Sequence, residues 1–274
     1  MAVTASGTET TAAPPRSAGR DLLTALRRNH LAGFLSIAIG LALWEVLSRF
    51  VVANPLFLAA PSQILGAIVS LGETGELWRH IGISGLEFVI GYAIAAVLGI
   101  ALGLAMASSA LAKQISQPWI SGLYATPTIA LAPLFILWFG IGISSKVLVV
   151  ILLVLFPVTI NTEAGLRTTS DRLIEMLRSF GASRRQIFFK VSLPSALPFI
   201  LAGLKLGIGR GLIGVVVAEL FGSRAGLGRL ISQSADAFNM PDLFAGVIVL
   251  AVAGIAMTAG FGWMEKKLVP WTKD

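Results

Sequence analysis

The ionisable residues of this chain stand in two settings, and neither is that of an enzyme. Lys205 and Arg210 interrupt the apolar run "LPFILAGLKLGIGRGLIGVVV". A cation inside a membrane span costs at least about 2.5–3.5 kcal/mol on insertion scales, so each is a functional candidate. The two are five positions apart, about 140° around a helix, and cannot both face one narrow pore. Arg210 lies near the middle of its run and has the charge to meet an anionic solute. The plainer reading for both is pairing with Glu45, Glu87 or a backbone carbonyl. The second setting is "EMLRSFGASRRQIFFKVSLP", from Glu175 to Pro194, where a carboxylate and several basic residues surround Leu177 and Phe180. Such a mixture suits docking, either onto an anionic membrane surface or into a groove on a partner. Bond-making chemistry has no candidates. The absence of cysteine excludes disulfides, thiolate metal sites and thiol catalysis. His30 and His80 have no neighbours at metal-ligand spacing and read as surface or interfacial residues. No G-x-x-x-x-G-K-[ST] run provides an ATP site. The chain is expected to hold no catalytic residue and no cofactor of its own.

The elements that must position these residues are membrane helices. The chain has 274 residues, 55% hydrophobic and 13% charged, where a soluble domain carries about 25% charged residues. The reading is an all-α membrane protein with six transmembrane helices, at about 31–52, 82–106, 118–140, 146–164, 196–221 and 243–264. Residues 1–30 form an N-terminal tail, polar to about residue 20 and then a basic amphipathic lead-in. Residues 31–268 form the membrane domain, with a core at about 80–264 and a loop at about 166–194, and 269–274 form a C-terminal tail. Orientation follows from the basic residues. With both termini cytoplasmic, the inside holds Arg16, Arg20, Arg27, Arg28, Lys113, Arg167, Arg172, Arg178, Arg184, Arg185, Lys190, Lys266, Lys267 and Lys273. The outside holds only Arg49, Arg79, Lys146, Arg224 and Arg229. This asymmetry accounts for the net charge of +7 without nucleic acid. Trp44, Trp138, Trp263 and Trp271 fall near span ends, as in an aromatic belt.

The cytoplasmic loop has helical grammar of its own. Ser170 or Asp171 caps a first helix, and Leu173, Ile174, Leu177 and Phe180 form its apolar stripe. Gly181 supplies a left-handed stop. Ser183 with Gln186 makes a capping box for a second short helix, which Pro194 ends or bends into the membrane. Glu175 and Arg178 stand at i,i+3, the spacing of an exposed ion pair. Within the spans, Gly203, Gly207 and Gly211 repeat every four residues, as do Gly99 and Gly103, marking packing seams within or between subunits. Pro127, Pro133 and Pro157 release backbone carbonyls or kink their helices. Outside, "PSQILGAIVSLG" and "GLGRLISQSADAF" read as amphipathic helices, the second with Leu227, Leu230, Ile231 and Phe238 on one side, to cap the bundle or touch a binding protein.

Glu175, Gly181 six residues later, and "VSLP" ending at Pro194 together resemble the EAA loop of the membrane subunits of binding-protein-dependent ABC importers. That pattern is Glu-Ala-Ala, three residues, Gly, nine residues, Ile-x-Leu-Pro. Met176 and Leu177 stand here for the alanines, and Val191 for the isoleucine. "ATPTIALAPLFILWFGIGISSK", "FPVTINTEAGLR", "LPFILAGLKLGIG" and "VVVAELFGSRAGLGRLI" resemble the nitrate/sulfonate/taurine subgroup. The resemblance implies a type I importer permease bundle in a bacterial inner membrane. It implies ATPase subunits on the cytoplasmic side, which bind ATP and magnesium, a substrate-binding protein outside, and a second permease copy, taken as a homodimer. The solute is then a small anion such as nitrate, a sulfonate, taurine or an organic acid. The loop becomes the coupling element, with Leu177 and Phe180 as apolar anchors and Gly181–Ala182 as the elbow. Ser183 caps its second helix, Pro194 closes it, and Glu175, Arg178, Arg184 and Arg185 form the charged rim. Lys205 fits the basic position that follows Gly-Leu in related permeases, a fold element rather than a pathway residue. The alternative from another class is a self-sufficient secondary transporter or channel, which calls for internal repeats.

Overall fold

The computed structural model describes residues 18–52, 54 and 56–270, with residues 18–31 given by their backbone alone. Arg16, Trp271 and Lys273 lie outside the described residues, as do the side chains of Arg20, Arg27, Arg28 and His30 and most of the two expected tails. Two units are present. In the first, helix α1 (Ala18–Val46) runs into a π-helical turn at Leu47–Val51. The basic lead-in at 21–30 is thus continuous with the first span. Arg49 Nε donates to Glu45 Oε1 at 2.6 Å, and the apolar side chains from Phe34 onward are exposed around the whole helix, a surface suited to lipid.

The second unit begins at Pro55. It contains α2 (Pro61–Glu73), α3 (Glu76–Ser108), α4 (Ala110–Ala125), α5 (Ala132–Phe139), α6 (Ile143–Arg167), α7 (Asp171–Ser179), α8 (Arg184–Ile187), α9 (Leu193–Phe221), α10 (Leu227–Asp236) and α11 (Met240–Leu268). Counting α1, five helical segments among the described residues are long and apolar enough to cross a bilayer. The run expected as the third span, 118–140, falls in a broken pair, α4 and the Thr128–Phe139 segment, bent by 86°, and taken as one span it would make a sixth. Pro127 is the cause: it has no N–H to continue the helical ladder and drives the residue before it out of helical geometry. Thr126 accordingly sits at φ −74°, ψ 137°. Pro133, by contrast, lies in the first turn of α5, where a missing N–H costs nothing.

Helix α6 is the spine, packed between α3 and α9. Lipid tails are as apolar as the side chains, so these helices associate through close packing rather than through hydrophobic burial. Glycines supply the closeness. A β-carbon at Gly99 would lie 2.9 Å from Val158 Cβ, one at Gly103 2.6 Å from Thr162 Cβ, and one at Gly203 2.8 Å from Asn161 Cβ. At Gly211 it would meet the Phe88 ring at 2.8 Å. Both glycine repeats are therefore seams within one subunit. Val150, Val154 and Val158 of α6, with Phe88, Ala95, Ile208 and Val215, form the buried core between them. Pro157 lies inside α6, and its carbonyl accepts Asn161 Nδ2–H at 2.8 Å.

Candidate functional site

The elbow between α7 and α8 is built almost wholly by its backbone. Helix α7 ends in two bonds, Ala182 N–H to Leu177 O at 3.0 Å and Gly181 N–H to Arg178 O at 2.9 Å. This paired wrap needs a left-handed residue, and Gly181 takes it at φ +81°. Two residues on, the capping box closes: Ser183 Oγ accepts Gln186 N–H at 3.2 Å and Gln186 Oε1 accepts Ser183 N–H at 2.8 Å. The cap expected at the other end of α7 is absent. Ser170 occupies the N-cap position without a side-chain bond, and its carbonyl alone receives Leu173 N–H and Ile174 N–H.

The second helix does not end at Pro194. Residues Phe188–Ser192 form a π-helical turn that joins α8 to α9, so Arg184–Phe221 is one rod of 38 residues. Leu193 N–H reaches back five residues to Phe188 O. A proline deprives the carbonyl four residues earlier of its donor, and the wider turn absorbs that loss.

Of the expected anchors, Phe180 is 81% exposed, while Leu177 is half-buried beside Ala182 and Ile187, lining a hollow of about 330 Å³. Glu175, Arg178, Arg184 and Arg185 are all exposed. Glu175 makes no ion pair with Arg178. The basic guanidinium of Arg185 lies 5.9 Å from the Phe189 ring centre instead. Glu163 ties this end of the bundle together, holding Lys113 of α4 and Arg167 of α6 at 2.9 Å each.

The two intramembrane cations part company, as their spacing requires. Lys205 Nζ lies 3.5 Å from Glu265 Oε2, at the mouth of a groove of about 1060 Å³ between α9 and α11. Lys205 is thus level with the charged end of α11. Arg210, about 7.5 Å deeper along the axis, faces α4. Its Nη2 donates to Tyr124 Oη at 3.1 Å, with the guanidinium 5.3 Å from the ring centre. Neither cation pairs with Glu87, and Arg210 has no carboxylate at ion-pair distance among the described residues.

Glu87 belongs to a buried polar cluster at the opposite end, which the sequence reading missed. Glu219 of α9 is fully buried. Its Oε1 accepts Ser84 O–H and its Oε2 accepts Gly228 N–H, each at 2.6 Å. Ser84 Oγ in turn accepts Leu227 N–H at 2.8 Å. His80, expected at a surface or interface, is buried in the bundle, and its Nδ1 accepts Gly226 N–H at 2.9 Å. Lys146, expected in an outer loop, is also buried. Its ammonium donates to Ile141 O and Gly142 O, within electrostatic reach of Glu87 and Glu219. The cluster fastens the α9–α10 loop to α3. The glycines in "GLG" are required by it, since a β-carbon at Gly226 would lie 2.2 Å from Glu219 Oε1. The available signal was a carboxylate in each of two apolar runs, Glu87 and Glu219.

Helix α10 buries Leu227 and Leu230, and Ile231 packs on Gly246 of α11. Phe238 does not share that face. The helix stops at Asp236, and Phe238 is exposed.

Comparison with known proteins agrees with this architecture. Residues 95–274 match the family described as the inner membrane component of binding-protein-dependent transport systems. The formylaminopyrimidine transport permease protein ThiX of Halalkalibacterium halodurans is 35% identical over 85% of this chain and 92% of its own length. The taurine transport system permease protein TauC of Escherichia coli is 34% identical over 86% and 88%. In fold, the chain resembles a chain of the MetNI methionine ABC transporter, solved in inward-facing conformations. The TM-score is 0.56 at 18% identity, over 71% of this chain and 95% of that one. The permeases of this family work with an ATPase and a substrate-binding protein, which retires the self-sufficient transporter or channel as an alternative. With its broken helix, its glycine seams and its apolar spans, this chain belongs to the ABC importer permeases, multi-pass proteins of the inner membrane and transport subunits rather than enzymes.

Proposed function

We propose that two copies of this chain form the transmembrane pathway of an ATP-driven importer for a small anion: a sulfonate, taurine, nitrate or an organic acid. Both termini and the loop at about 166–194 face the cytoplasm, and ATP with its magnesium is held by the partner ATPase. The elbow is the observation that carries this reading. Leu177 and Phe180 are held by the backbone bonds that close α7 at a left-handed glycine, a capping box follows, and the assembly continues through a π turn into α9. A preformed apolar contact loses little entropy on docking, and Phe180 is 81% exposed among the described residues. Glu175, Arg178, Arg184 and Arg185 surround it as a polar rim. ATP-driven closure of the ATPase pair then moves the docked elbow, and α9 carries that movement into the bundle as a shift between two states.

Arg210 supports the anionic solute. It is an exposed guanidinium within a span, hydrogen-bonded to a neutral phenol, so a passing anion meets a charge with no carboxylate beside it among the described residues. A second reading, an aromatic nitrogen heterocycle, draws on the solute in the name of the relative ThiX. Calorimetric titration of the binding protein that serves this permease separates the two. Tight binding of a sulfonate or nitrate supports the anion, and exclusive binding of a pyrimidine overturns it.

A further inference from the structure

We propose that Phe238 is the apolar anchor on which the extracytoplasmic binding protein docks, an inference that rests on the importer reading above. Residues 235–239 are exposed throughout, at the end of the bundle opposite the elbow. Helix α10 ends there in a paired wrap, Phe238 N–H to Ala235 O at 3.1 Å and Asn239 N–H to Ser234 O at 2.8 Å. The wrap sets position 238 at φ +55°. Glycine or asparagine is at home in that conformation, whereas a bulky side chain opposes it. Phe238 is the one non-glycine with positive φ among the described residues. At Gly181, the equivalent place in α7, the chain uses glycine.

Burial does not compensate, because the Phe238 side chain is 62% exposed. A single exposed phenylalanine needs no explanation. One that is exposed at an unfavourable backbone position does, and such outliers point toward function. Its mount is firm on both sides. Leu227 and Leu230 are buried, Glu219 and Ser84 take the N–H groups of Gly228 and Leu227, and Asn239 caps α11 through Asp242. The ring is therefore presented in a fixed position, with Gln233, Asp236 and Asn239 exposed around it. An apolar centre in a polar rim is the pattern of an interface hot spot. A membrane belt would favour tryptophan or tyrosine, whose polar tips anchor at the headgroups. The family is binding-protein-dependent, and with the elbow facing the cytoplasm as proposed, this is the end open to that protein.

The test uses the permease–ATPase complex in lipid nanodiscs and the binding protein that serves it, loaded with its solute. ATP hydrolysis is followed as that protein is raised in concentration, for the wild type, Phe238→Asn and Phe238→Leu. The asparagine variant relieves the backbone, so its thermal stability is expected to equal or exceed the wild type. Its half-stimulating concentration is expected to rise about tenfold or more, and the leucine variant to fall between. An asparagine variant that responds at the wild-type concentration overturns the inference, as does one that is less stable. A wild-type complex that no binding protein stimulates sinks the importer reading itself.

Discussion

Replacing Glu219 with glutamine changes one atom of the buried cluster and nothing of its volume. A glutamine offers a single carbonyl oxygen. If that oxygen keeps the Ser84 hydroxyl, the amide NH2 points at Gly228 N–H, donor against donor, where the carboxylate now accepts at 2.6 Å. Turning the amide over moves the loss to Ser84, which is held at the same distance. One charge-assisted bond is lost in either case, worth about 1.5–3 kcal/mol, and a buried donor, the Gly228 N–H or the Ser84 hydroxyl, is left without its acceptor. Lys146, fully buried nearby, also loses a carboxylate from its surroundings. The overlapping effects come to roughly 2–4 kcal/mol.

For a chain of this size a loss of that order lowers the apparent melting temperature by on the order of 5–10 °C. Thermal denaturation of the purified permease, at one scan rate and in one detergent, reads it. Ser84→Ala removes a donor to Glu219 and the acceptor for Leu227 N–H. Because the two side chains share one network, the double variant should fall short of the summed single losses by about 1 kcal/mol. A glutamine variant melting within about a degree of the wild type, or strictly additive losses, would refute the clamp.

Gly103→Val is expected to prevent stable assembly, since even a β-carbon there lies 2.7 Å from Thr159 O. Gly209→Ala, with nothing within 4 Å, should be neutral or gain up to about 1 kcal/mol of helix propensity. Yield of monodisperse protein and melting temperature separate the two. Gly181→Val places a β-branched residue at φ +81°, at a cost of about 1–2 kcal/mol confined to the elbow. Co-purification of the ATPase should be lost while the permease melts nearly as before, and an ATPase that still co-purifies in full argues against docking there. Arg210→Gln should reduce uptake of an anionic solute by roughly tenfold or more, with Arg210→Lys recovering part. Equal uptake by all three would remove Arg210 from the pathway.

What was legible in the sequence was what depends on neighbours along the chain. The Ser183–Gln186 box, the Gly181 turn and the glycine repeats all involve spacings of six residues or fewer, and each is present in the structure. The stop at Pro127 was also local, but the run around it is uncharged, and length alone read as one span. The continuity of α8 into α9 escaped because proline more often ends a helix than follows a π turn. The polar cluster was out of reach for another reason. Ser84 and Glu219 are separated by 135 positions, and His80 and Gly226 by 146. Apolar periodicity says nothing of which carboxylate meets which hydroxyl across that distance. Phe238 was misplaced because its stripe assumed that the helix ran on, whereas the left-handed turn had already ended it.

The clamp and the elbow lie at opposite ends of the same rod. From Arg184 to Phe221 the helix is unbroken through 38 residues, about 57 Å at helical rise. Along its middle it packs closely on α6 and α3 through Gly203, Gly207 and Gly211, against Asn161, Val154 and the Phe88 ring. A displacement at the elbow therefore has few places to dissipate before it reaches Glu219 and, through it, α10. Packed helices of this kind switch between discrete arrangements rather than deforming continuously. The buried carboxylate is then more than a fastening. It obliges the α9–α10 loop to follow α9, so that, on the proposed importer reading, the surface proposed for the binding protein depends on the state of the face proposed for the ATPase.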